Sequence, residues 1–188
     1  MKLNKKYQYI IFCEDDKTRS FIINILVSQG ININKIRSDV APSGRGSGEA
    51  YVRNSYRRNL STLRKFNYNS IALIVCTDAD THSIDEIYKS FSDECTKVEP
   101  KMEDRTDKEP VLIWIPKRHI ETWIEFFKNN GVGVNEERKY KINSQNVRCK
   151  EEANKMSEFL QGNRVYKEYL PSLEAAYVEY ERLCKVQK

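Results

Sequence analysis

Ile71-Ala-Leu-Ile-Val-Cys-Thr-Asp-Ala-Asp80 decides the fold. Its apolar, largely β-branched run is too short for a helix of its own and reads as a strand buried on both faces. A strand of that kind belongs to a parallel sheet covered by helices on either side. The run ends in two carboxylates, Asp78 and Asp80, separated by one small residue. At the carboxyl end of a buried parallel strand, acidic side chains sit where open α/β sheets bind their ligands. In extended backbone, residues i and i+2 point to the same side, which predicts that both carboxylates converge on one site. Such a pair repels unless a cation lies between its members, and a divalent metal is the usual answer.

Working outward, residues 7–13 read as a first strand that runs straight into Glu14-Asp15-Asp16. Phe21, Ile22, Ile25 and Leu26 follow at helical spacing, and Gly30 is a natural stop. A weaker second strand is expected over 36–41, then a glycine-bearing loop from Pro42 to Gly48. Residues 49–66 are helical in pattern, with Val52, Tyr56, Leu60 and Leu63 on one stripe and Arg53, Arg57 and Arg64 on another. Beyond the central strand, Ser83 and Glu86 form a capping-box signature ahead of another amphipathic helix. Residues 93–110 are dense in charge and read as a solvated, mobile loop. Residues 111–115 give a fourth strand, and 117–130 a helix burying Ile120, Trp123, Ile124 and Phe127.

After Gly133 the pattern changes to two helices, over 150–160 and 173–185. The sum is an α/β fold: a mainly parallel sheet of about four strands flanked by helices, with a C-terminal helical extension. The expected division is 1–131 for the α/β domain and 132–188 for the extension packed on it.

The chain has 188 residues, enough for a hydrophobic core without disulfides or a structural metal. Its five cysteines are scattered, with no C-x-x-C pair and no signal peptide ahead of them, which predicts reduced thiols and a cytoplasmic location. No stretch approaches a membrane span. A net charge of +5 permits an anionic partner without requiring one.

Glu14 follows the first strand as Asp78 and Asp80 follow the third. If those strands are adjacent and parallel, three carboxylates meet at one sheet edge, a donor set for Mg²⁺ or Mn²⁺ completed by water and substrate phosphates. Zinc is not expected, because no His or Cys ligands accompany them. Asp15 and Asp16 read as first-turn acids serving a helix dipole. The plainer reading of Asp78 and Asp80 is a helix cap and turn, and that of the arginine stripe is the wet face of a helix.

A Glu after strand one, a glycine-bearing loop after strand two and an Asp-x-Asp after strand three resemble the Toprim pattern, over about residues 7–130. Topoisomerases, bacterial primases, the overcoming-lysogenization-defect nucleases and small related nucleases share that domain. Asp15 stands where topoisomerase and primase members usually carry glycine, and His82 where they carry a third aspartate, so the resemblance points to the nuclease branch.

It implies a Mg²⁺- or Mn²⁺-dependent endonuclease in which Glu14 is general acid or base and also a ligand, Asp78 and Asp80 hold the metal, and Glu121 supplies a further ligand. Arg45, Arg53, Arg57, Arg64 and Lys117, with His119 nearby, are the expected contacts to a DNA or RNA backbone. Small Toprim-like proteins of this sort resemble effectors of anti-phage defence systems. The resemblance therefore also implies a separate ABC- or SMC-class ATPase partner, with the helical extension as the surface for it or for self-association. Two other readings stay open. One is a receiver-like signalling domain phosphorylated on Asp78, with Lys117 as its lysine; the other is a catalytically silent scaffold.

Overall fold

The computed structural model describes residues 1–42, 47–66, 70–141 and 149–188. In chain order these form β1 (Gln8–Cys13), α1 (Asp16–Ser28), β2 (Ile36–Val40), α2 (Gly48–Phe66), β3 (Ile71–Cys76), α3 (Ile84–Thr96), β4 (Val111–Trp114), α4 (Ile120–Lys128), α5 (Lys150–Leu160) and α6 (Pro171–Val186). The strands make one four-stranded sheet in the order β2-β1-β3-β4. All of its pairings are parallel. This is a Rossmann-like α/β architecture, of the type that a Toprim domain also uses.

Local chemistry explains the element boundaries. Asp15 caps α1, its carboxylate accepting from the Thr18 amide at 2.8 Å, and Asp16 lies in the first turn. Both therefore serve the helix, as their position in the sequence suggests. Ser83 and Glu86 form the expected capping box at the start of α3. Pro171 opens α6, where the missing amide proton costs nothing.

Two apolar layers sandwich the sheet. On one face, Tyr9, Ile11, Ile74 and Trp114 meet Phe21 and Ile25 of α1, Trp123 and Phe127 of α4, Met156 and Phe159 of α5, and Tyr180 and Leu183 of α6. On the other, Phe12, Leu73, Val75 and Ile113 meet Val52, Tyr56 and Leu60 of α2 and Ile87 and Phe91 of α3. The two helices after Gly133 thus join the same buried cluster as α1 and α4.

Helix α6 also resolves the problem of an open sheet edge. Strand β4 is an edge strand, yet all its residues are buried. The Glu179 carboxylate accepts from the Ile113 amide at 3.1 Å, and the Val111 carbonyl accepts from Arg105 at 3.2 Å and from Arg182. Arg105 and Arg182 both pair with Glu179, at 2.8 and 3.4 Å. A charged network takes the place of a further strand and blunts the edge.

The charge-dense stretch after α3 is not the free loop that its composition suggests. Arg64 grips both oxygens of Glu109 at 2.6 and 2.8 Å and donates to the carbonyls of Glu103 and Asp104. Tyr56 donates to the Asp104 carboxylate. Asp104 and Glu109 thus bind α2, while Lys97, Glu99, Lys101, Glu103, Asp107 and Lys108 are exposed, as the composition suggests.

Candidate functional site

Register builds the site. Strands β1 and β3 are neighbours with Cys13 opposite Cys76, so Glu14 and Thr77 leave the sheet side by side. From β1 the chain crosses to β2 on one side, while β3 and β4 lie on the other. This reversal of strand order is the position at which α/β sheets open a crevice for ligands.

Glu14 is fixed there. Its Oε1 accepts from the Thr77 hydroxyl and from the Asp78 amide, the latter at 3.0 Å. Its Oε2 lies against the start of α2: a Cβ on Gly48 would come within 2.7 Å of it and 3.1 Å from the Glu14 Cβ. Glycine at 48 is what admits the carboxylate. Burial raises the pKa of Glu14, opposed by the bonds from Thr77 and Asp78 and reinforced by Glu49 and Asp15.

Asp78 follows at the end of β3. The Ala79 amide donates to the Pro116 carbonyl at 2.8 Å, which pins the segment between the ends of β1 and β4. Burial, with Glu14, Asp15, Glu121 and Asp80 adding negative charge, pushes the Asp78 carboxyl up to about 9. Among the described residues no ion pair reaches this carboxylate.

Asp80 departs from the expected geometry. Strand β3 ends at Cys76, and Asp80 adopts a left-handed backbone with φ of 51°, so the alternation that would align it with Asp78 is broken. It is exposed and pairs with Lys139 at 2.8 Å. That contact, with Arg118 and His119 nearby, lowers its pKa.

Glu121, in the first turn of α4, pairs with Lys17 and lies 2.9 Å from His119 Nδ1. Burial alone would raise its pKa, but His119 and Lys17 outweigh it and hold the carboxyl at about 2. His119 Nε2 accepts from the Tyr140 amide at 3.1 Å, which leaves the ring proton on Nδ1, facing Glu121. Glu14, Asp15, Asp16, Lys17 and Glu121, with Val40, Ala41 and Pro42, line a cavity of about 610 Å³.

The structure therefore brings Glu14 and Glu121 to one crevice, with Asp78 bonded to Glu14 through its amide and Asp80 exposed and paired with Lys139. The predicted phosphate-binding residues are engaged within the chain. Arg53 pairs with Glu49 and lies 3.8 Å from Glu94. Arg57 donates to the carbonyls of Val98 and Pro100 at 3.1 and 2.6 Å, and Arg64 holds Glu109. Lys117, which a receiver would aim at Asp78, instead donates to the His82 carbonyl at 2.7 Å and lies 3.5 Å from Glu137. Arg45 lies outside the described residues.

Thr77, Gly48, Lys17 and Lys139 complete the site without having been singled out in the sequence. Gly48 was visible as the end of the glycine loop, and Thr77 as the neighbour of Asp78. The two lysines carried no local signal.

Among the described residues, no group of three or more His, Cys, Asp or Glu side chains is placed to hold one metal ion. Glu14 and Asp78 nevertheless fit Mg²⁺ or Mn²⁺. They are neighbouring oxygen donors, among the described residues neither forms an ion pair, and such ions commonly take one or two carboxylates plus water and substrate phosphates. Asp80 and Glu121 are occupied by lysines.

Fold and site together define the class: a Rossmann-like α/β protein with an acidic crevice at the switch in strand order. Comparison with protein-family models, curated proteins and solved structures finds no match for the chain.

Proposed function

We propose that the protein is a metal-dependent nuclease of the Toprim type, hydrolysing phosphodiester bonds at the crevice between β1 and β3. One observation carries the reading. Glu14 leaves β1 level with Thr77 of the adjacent parallel strand, its carboxylate accepts from the Asp78 amide, and no cation among the described residues neutralises Asp78. Glu14, Asp78 and, once freed from Lys139, Asp80 would hold Mg²⁺ or Mn²⁺. Such an ion supplies positive charge for the phosphoryl oxygens and a more acidic bound water.

The chain's own residues do the rest. Thr77 and the Asp78 amide fix one oxygen of Glu14, leaving the other directed toward Gly48 and available to hold or take a proton. Lys17, tied to Glu121 on the cavity wall, is a cation that a substrate phosphate would meet. The resemblance to anti-phage effectors adds an ABC- or SMC-class ATPase to the proposal, and because the sequence carries no nucleotide-binding P-loop, that ATPase would be a separate partner.

The test is cleavage of labelled plasmid, single-stranded DNA and total tRNA by the pure protein in Mg²⁺, Mn²⁺ or EDTA, beside Glu14→Gln and Asp78→Asn. Cutting that needs the metal and disappears in both variants supports the reading. Cutting that persists in both variants sinks it.

A further inference from the structure

The arginines of α2 fall into two sets. Arg53 and Arg64 are neutralised by Glu49, Glu94 and Glu109. On the outer face, Arg58, Ser61, Thr62 and Lys65 border a groove of about 500 Å³, closed on its far side by Arg57 and the segment around Lys101. Among the described residues no acidic side chain lines it. Arg58, Lys65 and Lys101 are exposed. Lys101 lies 3.7 Å from Glu99, and among the described residues no ion pair reaches Arg58.

The spacing 54, 58, 61 and 65 follows one helical stripe, opposite the buried stripe of Val52, Tyr56, Leu60 and Leu63. A cavity walled by cations and hydroxyls, with Pro100 and Met102 on its apolar side, has the chemistry of a phosphate-sugar backbone site rather than of a small-molecule pocket.

We propose that this groove binds the backbone of a polynucleotide whose scissile phosphate lies at Glu14. The proposal rests on the nuclease reading and gives it a substrate path. Helix α2 begins at Gly48, against Glu14, and runs to Phe66. At about 1.5 Å per residue, Gly48 to Lys65 spans about 26 Å, the length of seven or eight nucleotides of one duplex strand at about 3.4 Å each. The helix therefore joins the acidic crevice to the basic groove. The phosphate-contacting side chains are Arg58 and Lys101, in place of Arg53 and Arg64, which acids of the chain hold.

The experiment measures binding by fluorescence anisotropy, in EDTA so that no cleavage intervenes. It uses a labelled single-stranded oligonucleotide and its duplex over a range of salt, with the full chain and an Arg58→Glu/Lys101→Glu variant. Lys2→Glu/Lys5→Glu makes the same change in net charge elsewhere and serves as the control; melting curves verify that all are folded. The groove variant is expected to bind about tenfold or more weakly, with a salt slope smaller by about 1.5 units, while the control stays close to wild type. Equal losses in the two variants, or no binding by wild type, would overturn the proposal. So would groove-dependent binding to phosphatidylserine vesicles without binding to oligonucleotide. Cutting in Mg²⁺ that the groove variant retains in full would overturn the groove and leave the nuclease standing. Groove-dependent binding by a wild-type protein that never cuts would support the groove and count against the nuclease.

Discussion

Asp78 is held in a place that suits a charge only when a cation is present. Its raised pKa means that the folded chain keeps this proton more tightly than the unfolded chain, whose carboxyl titrates near 4. Stability in EDTA is therefore expected to fall as pH rises from about 4 through about 9, where the unfolded chain releases a proton that the folded chain retains. Asp78→Asn removes this penalty. Its melting temperature in EDTA should exceed that of wild type at pH 8, by about 2–4 °C for each kcal/mol recovered, and the gap should close below pH 4. A gap independent of pH would contradict the assignment.

Gly48 gives a second expectation at this scale. Gly48→Ala puts a Cβ where Glu14 Oε2 now lies and must displace a carboxylate anchored by Thr77 and Asp78. The helix gains up to about 1 kcal/mol while crowding costs about 1–3 kcal/mol. The melting point should thus stay or fall by up to about 10 °C while cleavage is lost, and parallel melting and activity assays check both. Glu14 and Asp78 were legible in the sequence because each directly follows a buried strand. The turn at Asp80 was not, since no proline or glycine announces its left-handed backbone. Lys17 and Glu121 are 104 residues apart, a pairing that only the sheet order creates.

Among the elements, α6 and the segment 135–141 make contributions that local pattern could not reveal. Glu179 is buried and serves two arginines and one strand amide at the edge of β4. Glu179→Ala leaves those cations without their partner and is expected to cost about 3–5 kcal/mol in urea unfolding. A loss under about 1 kcal/mol would mean that the network does not hold the edge.

Segment 135–141 closes over the rim of the site. Lys139 pairs with Asp80, the Tyr140 amide donates to His119, and the Glu137 carbonyl accepts from Arg118 at 2.9 Å. Lys139 and Asp80 are both well exposed, so Lys139→Ala should change stability by no more than about 1 kcal/mol. It should nevertheless lower the Mg²⁺ concentration at half-maximal cleavage, because Asp80 is then free; an unchanged or higher requirement would count against Asp80 as a ligand. The periodicity of α2 placed its buried stripe correctly, but said nothing about which arginines find acids. That depends on Glu94 and Glu109, which arrive from α3 and from the segment before β4.

For the molecule as a whole, the strand-helix alternation was legible throughout, since buried parallel strands and amphipathic helices have distinct periods. Among the described residues no helix is long and apolar enough to cross a membrane. What alternation could not supply was the strand order, and the order 2-1-3-4 is what makes Glu14 and Asp78 neighbours. The nuclease proposal depends on that adjacency, and Mn²⁺ titration of wild type and Asp78→Asn addresses it most directly, with bound metal followed by electron paramagnetic resonance and cleavage followed in the same samples. Metal binding and cleavage are expected to rise together in wild type and to vanish together in Asp78→Asn. Metal binding that Asp78→Asn leaves intact, or cleavage that proceeds without bound metal, would contradict the proposal.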